Sequence, residues 1–309
     1  MLIIIVIAVW YLYCYYFHSR IYINNSMTNA HLEYGTYPSS KIPNKIWSFW
    51  GGPMNAVVEK SVDSWRHYNP EYDIVLLTKD NLHRYCSTNI SSLPIAVEND
   101  TRYSDYVRVN VLSEHGGIWI DASCICHQSF NWIHGIQRHT NCEYVGYYME
   151  GNSDPNYLYR SPAIETWFFA CITNSKFMTN WKNEFMRINE FHSVDDYLDE
   201  VSSLGVSFQK YSMLNYLAIN ISAQYVFQNM TEFGPYSFYL MKAENTAFLP
   251  SYRNNWNDVK TIEDLKGENT HKEYHQQPMI KLMRGMRNEL VQNPIGINNL
   301  FSHLTTAMN

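Results

Sequence analysis

YSDYVRVNVLSEHGGIWIDAS, residues 103–123, carries the pattern from which the rest of the chain can be read. From Thr101 to His115, apolar positions at Tyr103, Tyr106, Val107, Val111 and Leu112 recur near helical spacing, which predicts a helix. Gly116-Gly117 stops it, because glycine takes the backbone angles that end a helix at little cost. Ile118-Trp119-Ile120 then forms a short apolar run, which reads as a core strand. That strand ends on a carboxylate, Asp121, with Ser123 and Cys124 behind it. An ionised carboxylate is costly to bury unpaired, so Asp121 either caps a turn or meets a cation.

The same alternation extends outward. Lys45–Trp50 is a β-rich run closed by Gly51-Gly52-Pro53, a helix carries Val57, Val58, Val62 and Trp65, and Tyr72–Leu77 is the next strand. Strands alternating with helices at short intervals predict βαβ units and a mainly parallel α/β sheet. In such sheets ligands bind beyond the carboxyl ends of the strands, where Trp50 and Asp121 both fall. Glu143–Met149 reads as a further strand, and Pro162–Ile172 leads to a helix over Lys176–Phe191. Beyond residue 195 the pattern weakens. Tyr211–Asn220 looks helical, Gln224–Phe227 reads as a short strand, and His271, His275, Lys281, Arg284 and Arg287 are scattered through the last fifty residues.

A formal charge of -6 and the lack of any Lys/Arg run exclude a protein that neutralises nucleic-acid phosphates over a basic surface. The 25 Tyr, 14 Phe and 9 Trp serve both a packed core and a cleft for nucleotide or carbohydrate rings. Leu2–Phe17 contains neither a charge nor a helix breaker. Its helical length of about 24 Å approaches the ~30 Å hydrocarbon layer, and tyrosines 11, 13, 15 and 16 suit the headgroup level. The expected organisation is a membrane anchor over residues 1–18, a polar stalk over 19–40 and a catalytic domain over 41–309. Cys86, Cys124, Cys126, Cys142 and Cys171 remain outside the anchor, an odd number without zinc-site spacing, and read as reduced structural thiols.

Asp105 lies three residues from both Arg102 and Arg108, so the three share a helix face. Spacing alone gives a surface ion pair. The following Asp121 strand, however, points this face at the same sheet edge, where two carboxylates, a guanidinium and a hydroxyl approach one cleft. Arginine matches a diphosphate through its planar fork, and a hard divalent ion bridges carboxylate and phosphate oxygens. The residues by themselves support a metal-assisted phosphate ligand.

IPNKIWSFWGG (42–52), SWRHYNPEYD (64–73), the 103–123 stretch and SPAIETWFFACITNSKFMTNW (161–181) resemble, in order, the capsular polysaccharide synthesis glycosyltransferases. These are relatives of the α-mannosyltransferase-like group that carries a DXD motif. The resemblance covers roughly residues 41–190, and its specific part is the Ser-Asp-x-x-Arg helix leading into Gly-Gly-x-x-x-Asp.

The resemblance implies a two-layered, Rossmann-type glycosyltransferase fold of the GT-A kind, with helices flanking the sheet. It further implies a nucleotide-diphosphate sugar as donor, a glycan or polysaccharide as acceptor, and retention of the anomeric configuration. Trp50 would contact the nucleobase and Asp105 the hydroxyls of the donor sugar or ribose. Ser104 and Arg108 would lie beside the sugar or diphosphate, making Asp105, Arg108 and Asp121 the catalytic set. Asp121 matches the first carboxylate of the DXD motif, and Ser123 stands where its second carboxylate would be. Together Asp121 and Ser123 would hold Mn2+ or Mg2+, with His271 or His275 as late candidates to complete the site. The alternative is a catalytically inactive, membrane-anchored sugar-binding protein of the same fold.

Overall fold

The computed structural model describes residues 20–24, 40–158, 160–229, 236–266 and 274–292. The proposed anchor, Leu2–Phe17, lies outside them. Among the described residues no helix is long and apolar enough to cross a membrane.

In chain order the strands are β1 (Arg20–Asn24), β2 (Lys45–Phe49), β3 (Asp73–Leu77), β4 (Gly117–Ile120), β5 (Cys124–Cys126), β6 (Tyr144–Tyr148), β7 (Ile164–Cys171), β8 (Ser237–Lys242) and β9 (Met279–Lys281). The helices are α1 (Ala56–Tyr68), α2 (Asp100–His115), α3 (Asn131–Thr140), α4 (Lys176–Arg187), α5 (Val194–Ser203), α6 (Ala218–Gln228), α7 (Leu249–Arg253), α8 (Asp258–Lys266) and α9 (Arg284–Gln292). Seven strands form one sheet in the order β1-β8-β6-β7-β4-β2-β3. Six run the same way, and β7, at the centre, runs against its neighbours β4 and β6. The mainly parallel α/β sheet is as expected.

Three features of the sequence reading change. The helix expected over Tyr211–Asn220 begins only at Ala218, and the residues before it form turns. Arg20–Asn24, within the expected stalk, is the edge strand β1, pairing in parallel with β8 from Arg20 opposite Ser237 to Asn24 opposite Met241. Gln224–Phe227 is the second half of α6 and not a strand. Its β-branched and aromatic residues suggest a strand, but Asn220, Gln224 and Gln228 recur every four residues. Asn220 and Gln224 each donate 2.9 Å hydrogen bonds to the Ile164 and Pro162 carbonyls, tying the helix to the start of β7.

Alternating side chains divide the sheet between two cores. Trp47, Trp119, Tyr144 and Phe169 face the layer containing α2, α4 and α6, whereas Ile46, Ile118, Ile120 and Phe168 face the layer of α1 and α3. Tyr144 and Phe169 stack at 5.4 Å between ring centres, a cross-strand aromatic pair. α2 is buried nearly all round, so its polar groups must find partners inside the protein. The Asn99 side chain caps it by accepting from Arg102 N at 2.9 Å. It ends at Gly116, whose φ of +63° would strain any other residue. A Cβ there would lie 2.6 Å from the Thr173 backbone nitrogen, so the turn into β4 demands glycine twice over.

β5 and β9 make a small second sheet, with Cys124 opposite Lys281. The five described cysteines are buried and unpaired, as the sequence predicts.

Candidate active site

A cleft of about 630 Å³ opens beyond the carboxyl ends of β2, β4 and β6, large enough for a nucleotide-sized ligand. Because β7 is antiparallel, its beginning reaches the same edge and adds Glu165, Thr166 and Trp167 to the wall. Trp50, Ser104, Asp105, Arg108, Asp121 and Ser123 all line this one space. The structure thus brings together every site residue the sequence singles out by motif. A side recess of about 400 Å³ adjoins it, bounded by Arg102, Asp105 and residues Met213–Tyr216.

Trp50 follows β2 directly, and its indole N–H donates to the Pro53 carbonyl at 2.9 Å, which fixes the ring against the turn. The Arg287 guanidinium lies 5.3 Å over the ring, a cation–π contact. Gly51 allows the chain to pass Asp100, whose Cγ would lie 2.8 Å from a Cβ at that position.

Asp105 and Arg108 do not form the surface pair that spacing alone suggests, since both are at most 5% exposed. Arg108 ties three elements together. It donates to the Thr166 carbonyl of β7 at 2.8 Å and to the Ser104 hydroxyl at 3.2 Å, and it lies 3.4 Å from both Asp105 and Asp121. Its guanidinium also covers the Trp119 ring at 5.2 Å. Burial pushes the Asp105 carboxyl up to about 6, against the pull of Arg108 and Arg102.

Asp121 caps no turn with its side chain; it meets cations. Trp119 Nε1 donates to Oδ1 at 3.1 Å, and the Lys281 ammonium donates to Oδ2 at 2.8 Å. Burial pushes this carboxyl up, but Lys281 and Arg108 outweigh it and hold it below the usual carboxylate range. Lys281 also donates to the Ser123 hydroxyl at 2.8 Å. The expected divalent-ion site on Asp121 and Ser123 therefore does not fit the residues present. The pair offers one carboxylate and one neutral hydroxyl, and both already converge on an ammonium with a guanidinium beside it. Among the described residues no group of three His, Cys, Asp or Glu could hold an ion. His271 lies outside the described residues, and His275 packs its ring 4.5 Å from His127 and is not among the cleft's lining residues.

Sequence reasoning does not place two charged groups that line the cleft. Lys281 comes from β9, and its signal is a charge set within the apolar run Met279-Ile280-Lys281-Leu282-Met283, the counterpart of Asp121 at the end of β4. Glu165 comes from β7, where burial pushes its carboxyl up to about 7. Arg284 and Arg287 on α9 complete the cationic side of the cleft, and Arg284 donates to Thr101 Oγ1 at 3.0 Å.

A mixed, mainly parallel sheet with a cleft at its carboxyl edge is the arrangement in which α/β proteins bind ligands. The sequence model described as capsular polysaccharide synthesis protein matches residues 17–281. The chain belongs to this capsular polysaccharide synthesis family, the glycosyltransferases that its motifs resemble. No curated protein is detectably similar in sequence. Among solved structures, the PaToxG glycosyltransferase is similar at 12% identity and a TM-score of 0.40, over 87% of this chain and 88% of its own. The glycosyltransferase GlyE of Streptococcus pneumoniae TIGR4 is similar at 10% identity and a TM-score of 0.39, over 85% of this chain and 64% of its own. The bifunctional glycosyltransferase WbbM gives 12% and 0.40, over 78% of this chain and 45% of its own.

Proposed function

We propose that the cleft binds a nucleotide-diphosphate sugar and transfers the sugar, with its anomeric configuration retained, to a hydroxyl of a glycan or polysaccharide. One observation carries this reading: an aromatic platform, a buried carboxylate and a cluster of cations face one cleft at the carboxyl edge of a mainly parallel sheet. Trp50 would stack on the base, Asp105 would accept hydrogen bonds from sugar or ribose hydroxyls, and Lys281, Arg284 and Arg287 would face the diphosphate. Arg108, itself held by the Ser104 hydroxyl, keeps Asp105 and Asp121 in place. The acceptor oxygen forms a bond to the anomeric carbon as that carbon's bond to the donor phosphate oxygen breaks. The leaving phosphate takes the hydroxyl proton, and the fixed cations stabilise the charge that develops on it.

Glu165 favours a second reading. A cleft carboxylate with a pKa of about 7 is suited to take the acceptor proton near neutral pH, with attack from the opposite face and inversion. Incubating the protein with a panel of nucleotide sugars and reading the product anomer by proton NMR tests both. Retention supports the first, and inversion together with loss of activity in Glu165→Gln supports the second. Donor binding without transfer or hydrolysis would leave the inactive sugar-binding alternative.

The charge-free run Leu2–Phe17 supports membrane anchoring of the domain. Recovery of the intact full-length chain in a high-speed supernatant without detergent would refute it.

A further inference from the structure

We propose that the Lys281 ammonium is a built-in replacement for a divalent ion, so that this protein engages its donor diphosphate without metal. The inference rests on the donor-site reading above and deepens it.

The charge balance is the first support. Two carboxylates with a divalent ion sum to zero, and so do one carboxylate, a neutral hydroxyl and one ammonium. Ser123 in place of a second acid and Lys281 opposite it are thus two halves of one exchange. Geometry is the second. Lys281 Nζ lies 2.8 Å from both Asp121 Oδ2 and Ser123 Oγ, so it bridges the two ends of the motif as an ion would. An ammonium carries three N–H donors, and these two bonds leave one for a phosphate oxygen at the cleft wall.

The third support is rigidity. Cys124 pairs with Lys281 across the β5–β9 ladder, Leu282 N donates to the Ser123 carbonyl at 2.9 Å, and Lys281 N donates to the Ala247 carbonyl at 3.0 Å. The backbone of Lys281 is therefore clamped on both sides, and its side chain is only 11% exposed. A divalent ion entering here would meet two fixed positive groups, since Arg108 lies 3.4 Å from the same carboxylate. The positive charge that a diphosphate needs is already in place and does not have to be recruited from solution.

The test is calorimetric titration of the full-length protein in detergent with UDP, GDP, ADP, CDP and dTDP, each in excess EDTA and in excess manganese. A diphosphate that binds with the same affinity in both, within about twofold, supports the inference. Lys281→Ala should weaken that binding by about tenfold or more, and Lys281→Arg should restore most of it. In the double variant Ser123→Asp with Lys281→Ala, binding should become manganese-dependent, a change that a purely structural lysine would not produce. Binding by the wild type that needs manganese would overturn the proposal, as would undiminished affinity in a folded Lys281→Ala. If Lys281→Ala fails to fold, the wild-type comparison of EDTA with manganese still decides. Failure of every diphosphate to bind under both conditions would instead sink the donor-site reading, and this inference with it.

Discussion

Arg108 on α2 directs its donors into the protein, to a β7 carbonyl, the Ser104 hydroxyl and two carboxylates, whereas Arg284 and Arg287 on α9 stand at the cleft wall. Arg284 makes one side-chain bond to Thr101, and Arg287 rests on Trp50. The two regions carry the same chemical group to the same cleft for different ends. A guanidinium whose partners are all internal frames the site. One with a single polar contact, or with an aromatic ring beneath it, has donors left for a ligand.

Removing the internal guanidinium should have the largest effect, and on stability. Arg108→Ala leaves the buried Asp105 and the partly exposed Asp121 with one cationic partner fewer, and should cost about 3–5 kcal/mol in urea denaturation. A loss below about 1 kcal/mol would erase the contrast between the two regions.

Asp105 gives the next effect, a pH dependence. Its carboxyl titrates at about 6 in the folded protein against 3.8 in an ordinary setting, so the folded state holds the proton more tightly. The stability linked to this proton is fully present below about 3.8 and is lost as pH rises to about 6. Relative to wild type, Asp105→Asn should therefore show a less negative slope of unfolding free energy across this window. Parallel slopes would mean that α2 does not hold a strained carboxylate.

At the wall, Trp50→Ala should weaken nucleotide binding by ~1–3 kcal/mol with the fold retained, as circular dichroism and calorimetry together would show. Arg287→Ala should have the smallest effect, a loss of ~1–2 kcal/mol in diphosphate affinity with an unchanged melting temperature. A fall in stability equal to that of Arg108→Ala would show that α9 frames the site as α2 does.

The frame and Trp50 are legible in the sequence and the rest of the wall is not, for a physical reason. β2, β3, α2 and β4 announce themselves by local periodicity, and Asp105, Arg108 and Asp121 come to the cleft through the sheet edge those elements share and the motif they resemble, since spacing alone gives Asp105 and Arg108 as a surface pair. Glu165 is hidden because nothing in Ile164–Cys171 says that β7 runs against its neighbours and brings its beginning to the cleft. Lys281 is hidden because its partner strand lies far away in sequence, and β1 is missed for the same reason, since it pairs with β8. Pairing across long stretches leaves no period to read. The divalent ion follows from matching Asp121 and Ser123 to the DXD motif, a match that says nothing of the Lys281 ammonium at their focus.

The β5–β9 ladder has a consequence for the order in which the molecule is made. The bond from Lys281 to Ser123 spans 158 residues, and closing so long a loop carries an entropy cost that only later contacts repay. β2 and β3 pair over a much shorter span, from Lys45 opposite Asp73, so that half of the sheet forms from local encounters. A chain emerging from the ribosome can thus fold around α2 and β4 while Asp121 still lacks its lysine. The cationic wall of the cleft is then completed last, and a nascent chain that ends before Met279 carries Trp50, Asp105 and Arg108 without Lys281, Arg284 and Arg287.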